Sequence, residues 1–501
     1  MYKKILVIIS LCLLCLGVAS CSKGYGPSGM YDSADKFYPS EDYLELDEKG
    51  FTLTENNPRV NVSLDSSNAA YSNIRRMINN EYVIYKDSVN IEQMLNYFNY
   101  SYENTSNEQL DSFLEIAKCP WNEGNMLLAY AVKAKDFVIE ESKPNNFVFL
   151  LDVSGSMYSE NKLPLMINAF KILIDNLNDN DRVSIVTYAG SERVLVEGAY
   201  GYEKPKLSAI INDLTAGGST AGSKGIQTAY QLAEKYYIEG GNNRVFLATD
   251  GDFNVGIYST TALKTFISAK RLTGVYLSLF GFGEGNLKSS TMDTLAQAGN
   301  GNYYYIDSIL EAQKVFVDEL GGTLQTVAKD AKSQLEFNAS VVEKYRVIGY
   351  ENKILTDEEF EDSETDAGEI GAGHTTICLV EFTLKDGVSL TGEETIVKSI
   401  LRYKDVLDNE LNKELIKECK NITNSPSDNF LFASGVAEFG LILRNSSYKE
   451  NASLESVYER VNQEKFTKDP YKKEFAELVL KVKEAPSKYI QDLFIQDQEN
   501  E

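Results

Sequence analysis

Asp152-Val153-Ser154-Gly155-Ser156-Met157 directly follows an apolar run, Phe147–Leu151, that is typical of a buried strand. A helical pattern begins a few residues later, near Asn161. The sequence therefore predicts a strand that ends in a tight turn carrying one carboxylate and two hydroxyl groups. These are hard oxygen ligands, which suit Mg²⁺, Mn²⁺ or Ca²⁺ better than Zn²⁺ or copper.

Two further loops offer oxygen ligands of the same kind. Ala216-Gly217-Gly218-Ser219-Thr220 places a hydroxyl in a glycine-rich turn before a predicted helix. Ala248-Thr249-Asp250-Gly251-Asp252 places a carboxylate at the end of the predicted strand Arg244–Ala248. We expect a metal site formed by two carboxylates and three hydroxyls, namely Asp152, Ser154, Ser156, Thr220 and Asp250. Asp252 is interpreted as a solvated loop residue.

Strand and helix patterns alternate from residue 145 to about 325, which predicts a doubly wound α/β domain with ligands at the carboxyl ends of its strands. The predicted strands are Phe147–Leu151, Val183–Tyr188, Arg193–Val196, Arg244–Ala248, Val275–Phe280 and Tyr303–Ile306. The predicted helices are Leu163–Leu177, Leu207–Leu214, Lys224–Tyr237, Thr261–Leu272, Ser289–Ala298 and Ser308–Leu320.

The three ligand motifs in this order resemble the metal-ion-dependent adhesion site of von Willebrand factor type A (VWA) domains. The resemblance implies a Rossmann-like domain over residues 145–325. It also implies Mg²⁺ or Mn²⁺ held directly by Ser154, Ser156 and Thr220, with Asp152 and Asp250 acting partly through water. In that family, an acidic residue of a bound protein often completes the metal coordination.

The flanks resemble a family of bacterial lipoproteins that encloses a VWA domain between its own N-terminal segment and a C-terminal domain. The similar motifs are Ala70–Arg76, Asn90–Phe98, Arg346–Asn352 and Asp366–His374, while Ser67-Asn68 departs from the usual pattern. We expect a signal peptide at 1–20, a tether at 21–56 and an N-terminal α+β segment at 57–144. The VWA domain at 145–325 is then followed by a β-rich domain at 326–425 and a helical tail at 426–501.

The strand patterns on both sides of the α/β domain suggest a shared sheet structure. Met126–Glu140 is predicted as a strand before the domain, and strands such as Thr376–Leu384 and Thr395–Tyr403 follow it. We expect both flanks to complete one β-sandwich into which the VWA domain is inserted.

The N-terminus indicates export and lipid attachment. Lys3 and Lys4 precede an apolar run, Ile5–Leu16, which is too short for a comfortable membrane span. The following Val18-Ala19-Ser20-Cys21 resembles the lipobox of bacterial lipoproteins, which implies cleavage before Cys21 and acylation of its sulfur. We expect a protein of the cell envelope that is lipid-anchored to a bacterial membrane, on the periplasmic or the outer surface.

Composition and single residues narrow the function. The net charge of −25 argues against nucleic-acid binding. With His374 as the only histidine, in a different predicted domain from the serines, the sequence supplies no base for a hydrolytic site. The histidine itself is more typical of a structural residue. Outside the lipobox and signal peptide, Cys119, Cys378 and Cys419 are widely spaced and allow one disulfide at most.

These observations predict a binding module with no enzymatic activity and no small-molecule substrate. A protein partner would offer an Asp or Glu to the open position of the metal, and a shift of the predicted helix Ser308–Leu320 would then link binding to shape. Two alternatives stay open: a structural envelope protein whose metal serves stability, and an adaptor for an envelope complex.

Overall fold

The computed structural model describes residues 41–64, 68–136, 143–218, 224–251, 259–319, 322, 325–365, 367–406, 408 and 411–491. The elements before the α/β domain are β1 (Thr52–Leu53), β2 (Arg59–Ser63), α1 (Ala69–Asn79), α2 (Ile91–Asn96), β3 (Leu110–Lys118) and β4 (Met126–Ala134). Helix α2 begins at an N-cap, because the Asn90 side chain accepts a hydrogen bond from the Gln93 backbone N–H.

The middle of the chain alternates strands and helices, as predicted. Its elements are β5 (Asn145–Asp152), α3 (Leu163–Asp175), β6 (Arg182–Tyr188), β7 (Glu192–Tyr200), α4 (Lys204–Asn212), α5 (Gly225–Lys235), β8 (Asn242–Thr249), α6 (Thr260–Arg271), β9 (Val275–Phe282), α7 (Ser289–Ala298), β10 (Tyr303–Ile306) and α8 (Ile309–Gln313). The strand order is β10-β9-β8-β5-β6-β7. All neighbours are parallel except β6 and β7, which are antiparallel.

This sheet is covered on both faces, which explains the near-continuous apolar character of its central strands. One face packs on α3, through Phe170, and on the π-helical turn Lys314–Glu319 that follows α8, through Phe316; both side chains contact Phe280 of β9. The other face packs on α5, α6 and α7 through residues such as Ile226 and Leu295. The doubly wound fold predicted from the sequence is confirmed.

The remaining chain contains strands first and helices afterwards. Its elements are β11 (Thr326–Phe337), β12 (Val342–Ile348), β13 (Ile354–Leu355), α9 (Asp357–Glu361), β14 (Gly368–Gly371), β15 (Thr375–Leu384), β16 (Val397–Asp405), β17 (Leu411–Cys419), α10 (Asp428–Leu443), α11 (Leu454–Val461), α12 (Glu464–Thr467), α13 (Pro470–Glu484) and α14 (Pro486–Tyr489).

Strands from both flanks form a β-sandwich, as predicted. One sheet has the order β1-β12-β15-β4-β3, and the other has the order β13-β2-β11-β16-β17 with β14 paired to β11. All of these pairings are antiparallel. A common apolar core joins the two sheets, with Leu128 and Val380 from one and Val62 and Leu335 from the other. The VWA-like domain is inserted between β4 of the first sheet and β11 of the second.

A helical layer covers the outer face of the first sheet. Helices α1 and α2 pack there together with α10, α11 and α13 in one core that includes Phe432 and Phe475. Trp121 is fully buried in this core, and its Nε1 donates a hydrogen bond to Glu381 at 3.3 Å. Trp121 therefore packs in the core and also makes a polar contact. Within the described ranges, no helix combines the length and the apolar character that crossing a bilayer requires.

Three predicted elements differ from the structure. Strand β4 ends at Ala134, whereas the prediction extended to Glu140, and residues 137–142 lie outside the described part. The predicted helix Ser308–Leu320 is divided into α8 and a π-helical turn, Lys314–Glu319. The predicted strand Arg193–Val196 is the longer edge strand β7, which the antiparallel pairing with β6 extends.

The shared sandwich predicts that residues 326–425 are not stable alone. Without β2 and β4, strands β11 and β15 would each expose a sheet edge and half of an apolar core. We expect this fragment to aggregate in size-exclusion chromatography. A matched control joins residues 41–136 to 325–491 through a short Gly/Ser linker, because Ala134 and Gln325 both hydrogen-bond to the 372–374 turn. This control is expected to be more soluble, and a monomeric, folded 326–425 fragment would refute the prediction.

Candidate metal-binding site

Asp152 lies at the centre of the candidate site. It is the last residue of β5, and it is completely buried. Strands β6 and β8 run parallel to β5 on either side, so the carboxyl ends of all three meet at one edge of the sheet. The sheet therefore brings the loops after β5 and β8 together, as the sequence predicted.

The Asp152 carboxylate is held on both oxygens. Its Oδ1 accepts a hydrogen bond from the Ser154 backbone N–H at 2.8 Å, and its Oδ2 accepts one from the Thr249 hydroxyl at 3.2 Å. Burial raises the pKa of Asp152 to about 6 against the opposing effect of these hydrogen bonds, and the nearby Asp250 carboxylate adds to the rise. A carboxylate in this environment gains from a nearby cation.

The two serines present their hydroxyls side by side. Ser154 Oγ and Ser156 Oγ are 3.0 Å apart, within a turn whose Gly155–Tyr158 segment is 3₁₀-helical. Ser154 is buried and Ser156 is half-buried, so the pair faces the edge of the sheet. Met157 fixes the turn from beneath because its side chain is fully buried in the domain core.

The glycine-rich loop is docked against this turn. The Gly217 N–H donates to the Val153 carbonyl at 2.8 Å, and the Gly155 N–H donates to the Gly218 carbonyl at 3.2 Å. Gly218 has a φ of +86°, and a Cβ there would approach the Ala189 carbonyl oxygen to 3.0 Å, so glycine is required. The predicted ligand Thr220 lies outside the described residues. The last described residue of the loop, Gly218, contacts the Gly155 turn and precedes Thr220 by two positions.

Asp250 is completely buried beside Asp152, directly after β8. Its Oδ2 accepts a hydrogen bond from Lys162 Nζ at 2.8 Å, and the lysine side chain is itself 8% exposed. The Lys162 stem lies against Gly283, which has a φ of +74° and no room for a Cβ beside Lys162 Cγ. Sequence reasoning missed this lysine. The available signal was a single cationic residue between the hydroxyl turn and α3.

The donor chemistry of the described residues fits a hard divalent cation. Two buried carboxylates and two adjacent hydroxyls converge, and such oxygen donors are preferred by Mg²⁺ and Ca²⁺. The Tyr188 hydroxyl is also buried here, close to the side chains of Asp152 and Thr249. Asp152, Ser154, Ser156 and Asp250 would hold the ion, which would supply an electrophilic centre at the sheet edge.

The first described residues dock close to this edge. Glu41 accepts hydrogen bonds from both terminal nitrogens of Arg76, at 2.9 and 2.8 Å, and from the Gly285 N–H at 3.1 Å. The Asp42 N–H donates to the Leu287 carbonyl at 2.9 Å. Glu41 and Asp42 belong to the predicted tether at 21–56, and both are fixed to the loop after β9, which includes Gly283 beside Lys162.

The other predicted residues lie elsewhere. Cys21 and Asp252 are outside the described residues. Cys119, Cys378 and Cys419 are all free thiols, so none of the possible bridges among them is formed. His374 lies in the sandwich and not at the sheet edge, and burial lowers its pKa to about 4, which keeps the imidazole neutral at physiological pH.

The comparisons with known proteins agree with this architecture. Residues 146–318 match the family profile "von Willebrand factor type A domain", residues 38–129 match "von Willebrand factor", and residues 322–485 match the C-terminal profile of the uncharacterized protein YfbK. The chain is therefore a VWA-domain protein with its own flanking domains.

Sequence relatives define the family more closely. The chain is 38% identical over 463 residues to the uncharacterized protein YfbK of Escherichia coli. The aligned region covers 87% of this chain and 80% of YfbK. It belongs to the YfbK family. It is also 28% identical over 201 residues to the uncharacterized protein sll0103 of Synechocystis, across 40% of this chain and 46% of that protein.

Two solved structures are similar to the chain at lower sequence identity. A von Willebrand factor type A protein from Catenulispora acidiphila has 15% identity and a TM-score of 0.43, covering 75% of this chain and 91% of that chain. The ArnB paralog VWA2 from Sulfolobus acidocaldarius has 16% identity and a TM-score of 0.35, covering 75% and 97% respectively.

Proposed function

We propose that this protein is a membrane-anchored binding module in which a divalent cation captures an acidic residue of a protein partner. VWA domains are in general protein-interaction modules, and this chain carries one. The observation that supports the metal-dependent form is the cluster of Asp152, Ser154 and Ser156 beside Asp250 at the carboxyl edge of the sheet. Mg²⁺ is the proposed ion, with Mn²⁺ or Ca²⁺ as chemically similar substitutes.

The composition of the donor set favours capture of a carboxylate. Ser154 and Ser156 are neutral donors, and the charge of Asp250 is offset by Lys162 at 2.8 Å. Asp152 is then the one carboxylate of the described donors whose charge no lysine or arginine offsets, so a divalent ion would keep net positive charge for an incoming anion. A partner's Asp or Glu would complete the coordination, whereas the described residues around the ion include no histidine base for hydrolysis. We therefore propose binding and assign no catalysis.

Metal-dependent capture predicts that Asp152→Ala loses the partner. We expect pull-downs from detergent-solubilised membranes to recover a partner with the natural chain in Mg²⁺, and to lose at least about tenfold of it with the variant or in EDTA, because a tenfold loss needs only about 1.4 kcal/mol. Asp213→Ala serves as the matched control, since Asp213 is exposed at the end of α4. The proposal would be contradicted if Asp152→Ala, and the natural chain in EDTA, both recovered as much partner as the natural chain does in Mg²⁺.

Anchoring at the envelope is proposed from the N-terminal pattern ending in Cys21. We expect Cys21→Ser to move the protein from the membrane fraction to the soluble fraction of cells, because acylation at that sulfur would be lost. Cys419→Ser is the control, since that thiol is free in the sandwich. An unchanged distribution of Cys21→Ser between the fractions would argue against lipid anchoring.

A structural or adaptor role in an envelope complex is the second candidate. It is favoured by a buried ion-pair network in which Arg75 of α1 joins Asp307 after β10 to Glu474 of α13. This network ties the VWA domain to helices from both flanks of the chain. Such a rigid connection is suited to a scaffold protein in which the metal serves stability. In that case, EDTA would lower the melting temperature without loss of any partner from the pull-down.

A further inference from the structure

A second cavity lies at the opposite end of the VWA sheet from Asp152. Its volume is about 480 Å³, and it is lined from the VWA domain by Arg244 and Tyr304, from the sandwich by Glu369 and His374, and from the segment after α2 by Phe98. Arg244 lies near the start of β8, six residues before Asp250, which corresponds to about 20 Å along an extended strand. The cavity is therefore separate from the candidate metal site.

Arg244 is the unusual residue of this cavity. It is only 4% exposed, and the Glu369 carboxylate attracts its guanidinium group without forming a direct ion pair with it in the described part of the chain. One terminal nitrogen donates to Ser278 Oγ at 2.8 Å, and the guanidinium lies 5.6 Å from the centre of the Tyr276 ring. Its buried Nε has no hydrogen-bond partner among the described residues. Burial without an ionic partner is costly for a charged group.

Most other charged groups of the cavity are already satisfied within the protein. Lys133 donates to Asp136 and to the Gly373 carbonyl, at 2.9 and 2.6 Å. Asp318 accepts a hydrogen bond from Tyr471, and Glu319 pairs with Lys314. Arg244 is therefore the cation of the cavity wall that retains capacity for an anion.

The rest of the lining suits a polar ligand of low charge. Glu369 accepts a hydrogen bond from Asn300 at 2.9 Å, and burial raises the pKa of Glu369 to about 7. His374 Nε2 is buried without a partner among the described residues. Phe98 and Tyr304 add aromatic surface. The acidic groups would repel a doubly charged phosphate more strongly than a single carboxylate.

We propose that this cavity binds a small molecule that carries one carboxylate, which pairs with the free side of the Arg244 guanidinium. A carboxylate offers two coplanar oxygens, which match the fork of a guanidinium group. His374 Nε2 would hydrogen-bond to the polar body of the ligand, and the aromatic side chains would cover its apolar surface. The ligand is bound without chemical change.

Calorimetric titration of the full chain with defined probes tests this site. The probes are glucuronate and benzoate, with glucose and benzamide as uncharged counterparts and glucose 1-phosphate as the phosphate arm. We expect at least one carboxylate to bind at least tenfold more tightly than its uncharged counterpart and than the phosphate. Arg244→Met should abolish this preference, while Arg182→Met, which alters a half-buried arginine of β6, should retain it. Absence of any carboxylate preference, or its persistence in Arg244→Met, would overturn the proposal.

A second measurement is independent of the probe. If the function of Arg244 is to bind a ligand, its replacement by methionine removes a buried charge that has no direct ion pair, only the attraction of Glu369. The melting temperature of the ligand-free protein should then rise. If Arg244 is a structural residue that holds Ser278 and Tyr276 in place, the same variant should melt at a lower temperature, and that result would overturn the proposal.

Discussion

Replacing Arg75 with methionine is expected to lower the free energy of unfolding by about 3–5 kcal/mol, the usual consequence of removing one partner from a buried ion network. The Arg75 side chain is 1% exposed and binds the carboxylates of Asp307, Glu311 and Glu474. Tyr97 donates to Glu311 at 2.8 Å within the same network. The variant would leave Asp307 and Glu311 buried, and Glu474 half-buried, without the Arg75 cation.

The pH dependence of this loss has a definite sign. Burial raises the pKa of Glu311 in the folded protein, and the positive charge of Arg75 opposes that rise. Without Arg75 the folded-state pKa of Glu311 rises further above its unfolded value, so the cost is present at pH values above the folded pKa and is relieved as protonation occurs. We therefore expect the difference in stability between the variant and the natural chain to be larger at pH 7.5 than at pH 5.

Urea unfolding followed by the fluorescence of Trp121, the only tryptophan, measures this effect in the sandwich and helical layer. Lys235→Met is the matched control. Its pair with Glu197 is exposed, with side-chain exposures of 60% and 41%, and exposed pairs contribute little to stability because water screens them. Similar losses for the two variants, or a loss for Arg75→Met that does not depend on pH, would contradict the role assigned to the network.

Lys162→Met is expected to tighten Mg²⁺ binding about tenfold or more. In the proposed site the ammonium group of Lys162 lies 2.8 Å from Asp250 and competes with the metal for that carboxylate. Removing a positive charge next to a divalent cation favours the bound state, and a tenfold change corresponds to about 1.4 kcal/mol. The same substitution should destabilise the metal-free protein, because Asp152 and Asp250 are both fully buried.

Two measurements check this prediction together. Calorimetric titration gives the affinity for Mg²⁺, and thermal unfolding in EDTA gives the stability of the metal-free form. Lys206→Met is the control, since Lys206 pairs with Glu203 on the exposed surface of the same domain. If Lys162→Met binds Mg²⁺ as weakly as the natural chain does, the lysine does not compete with the ion. If it does not bind Mg²⁺ at all, Lys162 is needed to form the site.

The sequence predicted features that depend on local pattern. The strand preceding Asp152 and the one preceding Asp250 are apolar runs followed by turn residues, and parallel topology then places both turns at one edge. The shared sandwich was also predictable, because Met126–Ala134 reads as a strand without a partner in the α/β domain. Thr220 stays a prediction, since it lies outside the described residues.

Features that depend on contacts between distant segments were not predicted. Strand β17 alternates exposed and half-buried residues and is rich in charge, so it has little of the apolar signal that marks strands. Arg75 and Lys162 resemble solvated surface residues in sequence, and only the tertiary fold shows that their charges are buried against carboxylates. Arg244 escaped notice for the same reason, because its environment is formed by the sandwich and the VWA domain together.

The insertion of the VWA domain also sets an order of events during synthesis. Asn61 of β2 and Gln334 of β11 are hydrogen-bonded neighbours, although 273 residues separate them in the chain. At about 5–20 residues per second, a ribosome needs on the order of tens of seconds to complete that interval. Strands β3 and β4 can pair with each other early, but β1, β2 and the other edge of β4 have no partner until the VWA domain has been synthesised. Early folding of that domain would bring its two ends together and shorten the loop that the sandwich must close. The inserted domain would thus act as a folding aid for the sandwich that encloses it.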